Sequence, residues 1–129
     1  MINERPTTCN ICGGDVIYGK MEDFQLKPYQ SGYCYLCTRC GAYIGTHKHE
    51  PEVALGILGD PETRKLRAIC HEEFKRHYMS LTARSTLYYM LATEMGLTLE
   101  ECHFGHFTKE QLEKSMEIMK TKWKDLYLR

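Results

Sequence analysis

Two short stretches decide the fold of this chain, Cys9-Asn10-Ile11-Cys12-Gly13 and Cys37-Thr38-Arg39-Cys40-Gly41. Each stretch places two cysteines on a tight turn, where both sulfur atoms can face one point. The glycine after the second cysteine can adopt a positive φ, which lets backbone amides turn toward the sulfurs. Two such units supply four thiolates at about 2.3 Å from one ion, a closed tetrahedral shell that suits zinc. We therefore predict one structural zinc ion on Cys9, Cys12, Cys37 and Cys40.

Other uses of these cysteines fit the sequence less well. A redox pair would need only one C-x-x-C unit in a thioredoxin-like setting, which this sequence lacks. An iron site with four thiolates has the same geometry and stays open as an alternative. The second pair could also slip to Cys34 and Cys37, but Cys40 is followed by glycine, as Cys12 is. Cys34 and Cys70 are then expected to be small buried residues.

Composition excludes several classes of protein. The chain has 129 residues, seven cysteines, and 17 basic against 17 acidic side chains. An odd number of cysteines and the polar start MINERPTTCN argue against a disulfide framework and a secretory leader, so we expect a cytoplasmic protein. No apolar run reaches the roughly 20 residues that span a bilayer, so we expect no membrane contact. A neutral chain is also unusual for a protein that coats DNA.

Short β-prone runs surround the two cysteine units. They cover residues 16–18, 24–26, 33–36 and 42–45. Two knuckles joined by short antiparallel strands describe a zinc ribbon. We favour the ribbon over a treble clef because β-prone residues, not a helix, follow the second knuckle. Residues 1–8 are expected to be a loose lead-in and residues 46–60 a loop.

The C-terminal part is predicted to contain three helices. Asp60-Pro61 is a typical helix start, and apolar residues follow at helical spacing through about residue 79. A second helix is predicted to begin near Thr82 and to end at Gly96. Thr108-x-x-Gln111 is a capping box that would open the last helix.

The predicted fold class is therefore α+β, with an N-terminal zinc ribbon packed on a C-terminal three-helix part. The ribbon is expected over residues 1–50 and the helical part over residues 51–129. Neither part is large, so we expect them to form one compact unit stabilised by the metal.

A second polar cluster is visible in the sequence. Cys102, His103 and His106 lie in one helix–helix connection, and His71 lies on a helix that could pack beside it. Imidazole and thiolate ligands could hold a second metal there, although local hydrogen bonds are the simpler role. No H-E-x-x-H spacing or other hydrolase motif accompanies them, so an enzyme is the least favoured function.

Basic side chains predict where a partner would bind. The candidates lie beside the second knuckle and on the first helix: Arg39, His47, Lys48, Arg64, Lys65 and Arg67. Residues 61–129 also carry twelve basic against ten acidic side chains. We predict a zinc-stabilised binding module that contacts nucleic acid or a nucleoprotein complex.

The order of these motifs resembles a small zinc-finger-containing domain family of unknown function, found in phages and bacteria. The resemblance runs from about Cys9 to Met119. Its best motifs are Gly41-Ala42-Tyr43-Ile44-Gly45 with His47-Lys48, and Cys102-His103-Phe104-Gly105. It implies zinc on the four knuckle cysteines and no established enzymatic activity. The family context also gives the alternative function, a phage accessory protein that binds and modulates a host protein in the host cytoplasm.

Overall fold

A computed structural model describes residues 3–129, and the chain divides into two compact units. The first unit ends at Glu62 and the second begins at Thr63. Residue 50, where the sequence placed the boundary, is the first residue of a strand within the first unit. That the ribbon and the helical part form one compact unit stays a prediction.

The first unit is a sheet of four antiparallel strands in the order β1-β2-β3-β4. The strands are β1 (Val16–Lys20), β2 (Tyr33–Cys37), β3 (Tyr43–His47) and β4 (Glu50–Ala54). Val16 pairs with Cys37, so the start of β1 lies beside the second knuckle. Strands β2 and β3 enter and leave that knuckle, and their pairing fixes its position in the ribbon.

Two segments of the ribbon differ from the sequence-based expectation. Residues 24–26 do not form a strand, because Met21–Phe24 is a short 3-10 turn and Gln25 follows it at φ 61°. The ring of Phe24 fills the space where Gly19 has no side chain, since a Cβ there would lie 2.8 Å from it. The expected loop over residues 46–60 contains β4. Its Pro51 is tolerated because β4 is an edge strand.

The N-terminal segment is tied to the sheet and is not a loose lead-in over the described residues. The backbone N–H of Ala54 donates to the carbonyl oxygen of Glu4 at 2.8 Å, and that of Val16 donates to Thr7 at 3.1 Å. Residues 1–2 of the predicted lead-in lie outside the described residues.

The second unit contains three helices, as predicted. They are α1 (Pro61–Lys75), α2 (Leu81–Met95) and α3 (Lys109–Lys120), with a short 3-10 turn at Phe104–His106. Helix α1 begins at the predicted proline but ends before residue 79. Ser80 caps α2 by accepting from the N–H of Ala83, and Gly96 ends it at φ 69°. The predicted capping box opens α3.

The core of the helical unit is aromatic and aliphatic. Its fully buried members include Phe74, Leu87, Leu91, Leu112 and Met119. Cys70 is buried among them, and Cys34 is buried in the ribbon, which confirms the packing roles expected for both. The α+β fold, a zinc ribbon followed by three helices, is confirmed. Within residues 3–129, each helix is too short or too polar to cross a bilayer.

Candidate metal centre

The two cysteine knuckles are built with the same backbone hydrogen bonds. In each knuckle, the N–H of the first cysteine donates to the carbonyl oxygen five residues later at 2.8 Å. The N–H of the glycine after the second cysteine donates back to the first cysteine, at 3.0 and 3.1 Å. These glycines, Gly13 and Gly41, have φ of 77° and 78°, a conformation that glycine adopts without steric cost. The repeated C-x-x-C-G motif therefore folds into two equivalent turns.

Each sulfur atom accepts a backbone N–H from the residue two positions later. The N···S distances are 3.3 Å from Ile11 to Cys9, 3.4 Å from Gly14 to Cys12 and 3.4 Å from Arg39 to Cys37. The N–H of Ala42 does the same for Cys40. Such bonds favour the thiolate, which is the form of cysteine that binds zinc.

The four sulfur atoms converge on one point. They lie within 4.8 Å of one another, with 3.7 Å between Cys9 and Cys40 and 3.4 Å between Cys12 and Cys37. A tetrahedral zinc ion with bonds of about 2.3 Å would hold its sulfurs about 3.8 Å apart. The donor set and its spacing therefore fit zinc. Across residues 3–129, this is the one group of three or more His, Cys, Asp or Glu side chains that could hold a metal ion.

The charges of the four sulfurs depend on one another. The backbone N–H groups of Cys40 and Arg39 lower the pKa of Cys37 to about 6. The N–H of Ala42 favours the thiolate of Cys40, but burial and the three neighbouring cysteines raise the pKa of Cys40 to about 12. One thiolate therefore suppresses the ionisation of the next, and four thiolates at this spacing require a cation among them.

Gly14 is a residue of the site that the sequence reasoning missed. A Cβ at this buried position would lie 2.7 Å from the Cβ of Arg39, 3.0 Å from the sulfur of Cys37 and 3.2 Å from the sulfur of Cys12. The close approach of the two knuckles therefore requires glycine here. The signal was the second glycine in a row, at the place where the other knuckle has Ala42.

Residues between the two cysteines of each knuckle also hold the site together. The side-chain amide of Asn10 donates to the carbonyl oxygen of Leu58 at 3.0 Å and accepts from its N–H at 2.9 Å. The backbone N–H and the hydroxyl of Thr38 donate to the carbonyl oxygen of Asp15 at 2.9 and 3.0 Å. Each knuckle is thus fixed to a segment distant in sequence, which no local motif reveals.

The predicted partner-binding residues lie in different environments. Arg39 is exposed, and its Nη1 donates to the carbonyl oxygen of Cys12 at 3.2 Å, which ties the two knuckles together. His47 and Lys48 are exposed at the β3–β4 turn. On α1, Lys65 is exposed and Arg64 is half-buried.

The structure contradicts the prediction for Arg67. The sequence placed it on a basic surface, but its side chain is buried, with 9% exposed. Its Nη2 donates to the carbonyl oxygen of Phe107 at 3.4 Å. Arg67 therefore supports the interior of the helical unit and does not present a surface charge.

The predicted His/Cys cluster lies in one neighbourhood, but its ligand atoms do not converge. Cys102 is fully buried, and burial raises its pKa to about 11. The ring of His71 lies edge-on to Phe104 at 6.0 Å, and the ring of His103 lies 5.7 Å from that of His106. Among residues 3–129, His71, Cys102, His103 and His106 therefore do not form a group of converging metal ligands.

A four-stranded ribbon with a closed cluster of four cysteines defines this chain as a zinc-finger protein. It belongs to a family of zinc-finger-containing domains, whose family model matches residues 5–122. The match confirms the resemblance found in the sequence and covers both units. Among curated proteins and solved structures, none matches this chain significantly.

Proposed function

We propose that this protein is a zinc-stabilised binding module that contacts nucleic acid. One observation carries the first half of this proposal: four cysteines from two equivalent knuckles fill all four positions around one point. Such a shell leaves no position for a water molecule or a substrate, so the zinc ion would stabilise the fold and not catalyse a reaction. Because these ligands cannot converge in an unfolded chain, zinc binding would contribute to the folding free energy.

The distribution of charge supports nucleic acid as the partner. Residues 63–129 carry twelve basic and nine acidic side chains, whereas residues 1–62 carry five and eight. The basic excess therefore belongs to the helical unit, and the ribbon is acidic. Since phosphate contacts dominate the affinity for nucleic acid, we assign the contact to the helical unit.

Metal analysis of matched cysteine variants tests the zinc centre. The purified, tag-free protein should contain one zinc ion per chain, measured by mass spectrometry of the metal. Cys40→Ser should lose it, whereas Cys34→Ser should keep it because Cys34 lies outside the cluster. Iron in place of zinc, or loss of the metal from the Cys34 variant, would overturn this assignment.

Nucleic-acid binding is tested with fluorescent single- and double-stranded DNA and RNA oligonucleotides. Their anisotropy should report binding that weakens steeply as salt rises from about 50 to 200 mM. Protein binding releases cations from the phosphates, and this release becomes less favourable as the salt concentration rises. Absence of binding to all four oligonucleotides at the low salt concentration would refute the nucleic-acid half of the proposal while leaving the zinc half intact.

A protein partner is the second candidate, and the connection between α1 and α2 favours it. Met79 and Leu81 are 70% and 79% exposed there, on either side of the capping Ser80. Exposed apolar side chains of this kind often mark contact surfaces. If the full chain retains one protein after nuclease treatment, and a variant with serine at both apolar positions does not, this candidate replaces the first.

A further inference from the structure

Arg84, Tyr88, His71 and His103 form a polar cluster in the helical unit, apart from the four cysteines of the metal centre. Its central residue is Arg84, a half-buried side chain in the first turns of α2. The guanidinium carbon lies over the Tyr88 ring, 4.9 Å from its centre. Its contacts thus leave the positive charge without a carboxylate partner in the described part of the chain.

Two histidines from other elements share this neighbourhood. The ring of His103 lies 5.5 Å from that of Tyr88. The ring of His71, on α1, lies against Phe104, whose own ring is 6.4 Å from Tyr88. The charge of Arg84 acts on both histidines. One cation, one phenol and two imidazoles are therefore brought together from α1, α2 and the segment before α3.

The surroundings of the two histidines disfavour the protonated form of both rings. Burial, followed by the positive charge of Arg84, lowers the pKa of His103. Burial, Lys75 and Arg84 lower the pKa of His71, while Glu72 on the same helix opposes them. His103 also faces the rings of Tyr88 and His106, and Cys102 lies near Tyr88. An anion placed beside Arg84 would favour the protonated imidazoles and gain further donors.

We propose that Arg84, Tyr88, His71 and His103 form a binding site for a phosphate group. A guanidinium suits phosphate because its planar fork of N–H donors matches two phosphate oxygens. The first turn of α2, which carries Arg84, contains no acidic residue that would repel the anion. The site deepens the proposed function and rests on it for its natural ligand, since the backbone of a nucleic acid supplies such phosphates.

Two probes test the site, and they distinguish free phosphate from the phosphate groups of a nucleic acid. Inorganic phosphate added to the full zinc-loaded chain should shift the NMR signals of both histidine rings and raise their titration midpoints. A fluorescent oligonucleotide that the wild-type chain binds should bind Arg84→Gln about 5- to 20-fold more weakly. The matched control is Arg76→Gln, because Arg76 is exposed and already faces Glu73 at 3.6 Å. It should change the affinity less than twofold.

Proton linkage gives an independent readout. A phosphodiester keeps its charge between about pH 7.5 and 6, so protonation of the histidines should strengthen oligonucleotide binding severalfold as pH falls. This dependence should vanish in a His71→Gln, His103→Gln double variant. Arg84→Lys, which keeps the charge but loses the fork, should bind with intermediate affinity and guards against misfolding of the glutamine variant, checked by circular dichroism.

The outcomes are distinguishable. Phosphate binding at the cluster without oligonucleotide binding would support the site, assign it to free phosphate or a small phosphate ester, and refute the proposed function. Equal oligonucleotide binding by the wild type and Arg84→Gln, without histidine shifts in phosphate, would overturn the site and leave the proposed function standing.

Discussion

Replacing Gly14 with alanine tests whether close contact between the knuckles sets the geometry of the zinc site. The added methyl would lie 2.7 Å from the Cβ of Arg39 and 3.0 Å from the sulfur of Cys37, whereas carbon atoms pack at about 3.5–4.0 Å. The Cβ of Arg39 is fixed by its backbone, so the whole knuckle would have to move by about 0.8 Å or more to restore an ordinary contact. Overpacking of this kind costs about 1–3 kcal/mol. Distorted support of metal ligands costs about 10- to 100-fold in metal affinity.

The assay combines urea unfolding of the zinc-loaded protein with competition against a chromophoric chelator. Gly45→Ala is the matched control in the same unit, because a Cβ there meets its nearest neighbour at 3.6 Å, an ordinary contact. We expect Gly14→Ala to unfold at lower urea and to release zinc more readily, while the control changes little. Equal midpoints and equal zinc affinities for the two variants would refute the contact argument.

Two further predictions concern the helical unit. Thr108→Ala removes the side-chain acceptor for the N–H of Gln111 and should destabilise the protein by about 1 kcal/mol in urea unfolding. Burial alone would raise the pKa of Glu73, but hydrogen bonds from Lys120 and His77 lower it below its usual 4.5. The stability that Glu73 contributes is therefore present above pH 4.5 and is lost as pH falls through its folded pKa, so Glu73→Gln should flatten the acid side of the stability profile. An unchanged acid profile in that variant would contradict this assignment.

The parts of the fold that the sequence predicted are those whose chemistry is local. Each C-x-x-C-G unit specifies its own turn, because the cysteine spacing, the glycine at positive φ and the N–H···S bonds all lie within six residues. The capping box of α3 is local in the same way, since Thr108 and Gln111 satisfy each other's backbone groups. Such features depend little on distant partners.

The parts that the sequence did not reveal depend on distant partners. Strand β4 contains Pro51 and begins with charged residues, and only its pairing with β3 makes it a strand. Arginine usually lies at the surface, but Arg67 is buried and donates to the carbonyl oxygen of Phe107. Gly14 shows its importance only when the second knuckle is beside it, which places Arg39 within 2.7 Å of a hypothetical Cβ. In each case a tertiary contact overrides the local preference.

The contacts of the cationic side chains indicate which of them could bind a partner at little cost. In the ribbon, Arg39 already donates to the carbonyl oxygen of Cys12, and Arg5 faces Glu52 at 3.1 Å. A partner would have to replace such contacts, which reduces the net gain from binding there. Arg84 is different, because its charge lies over an aromatic ring beside two histidines and faces no carboxylate in the described chain. A phosphate would add an interaction there without breaking an ion pair, which supports our proposal that the helical unit contacts the nucleic acid.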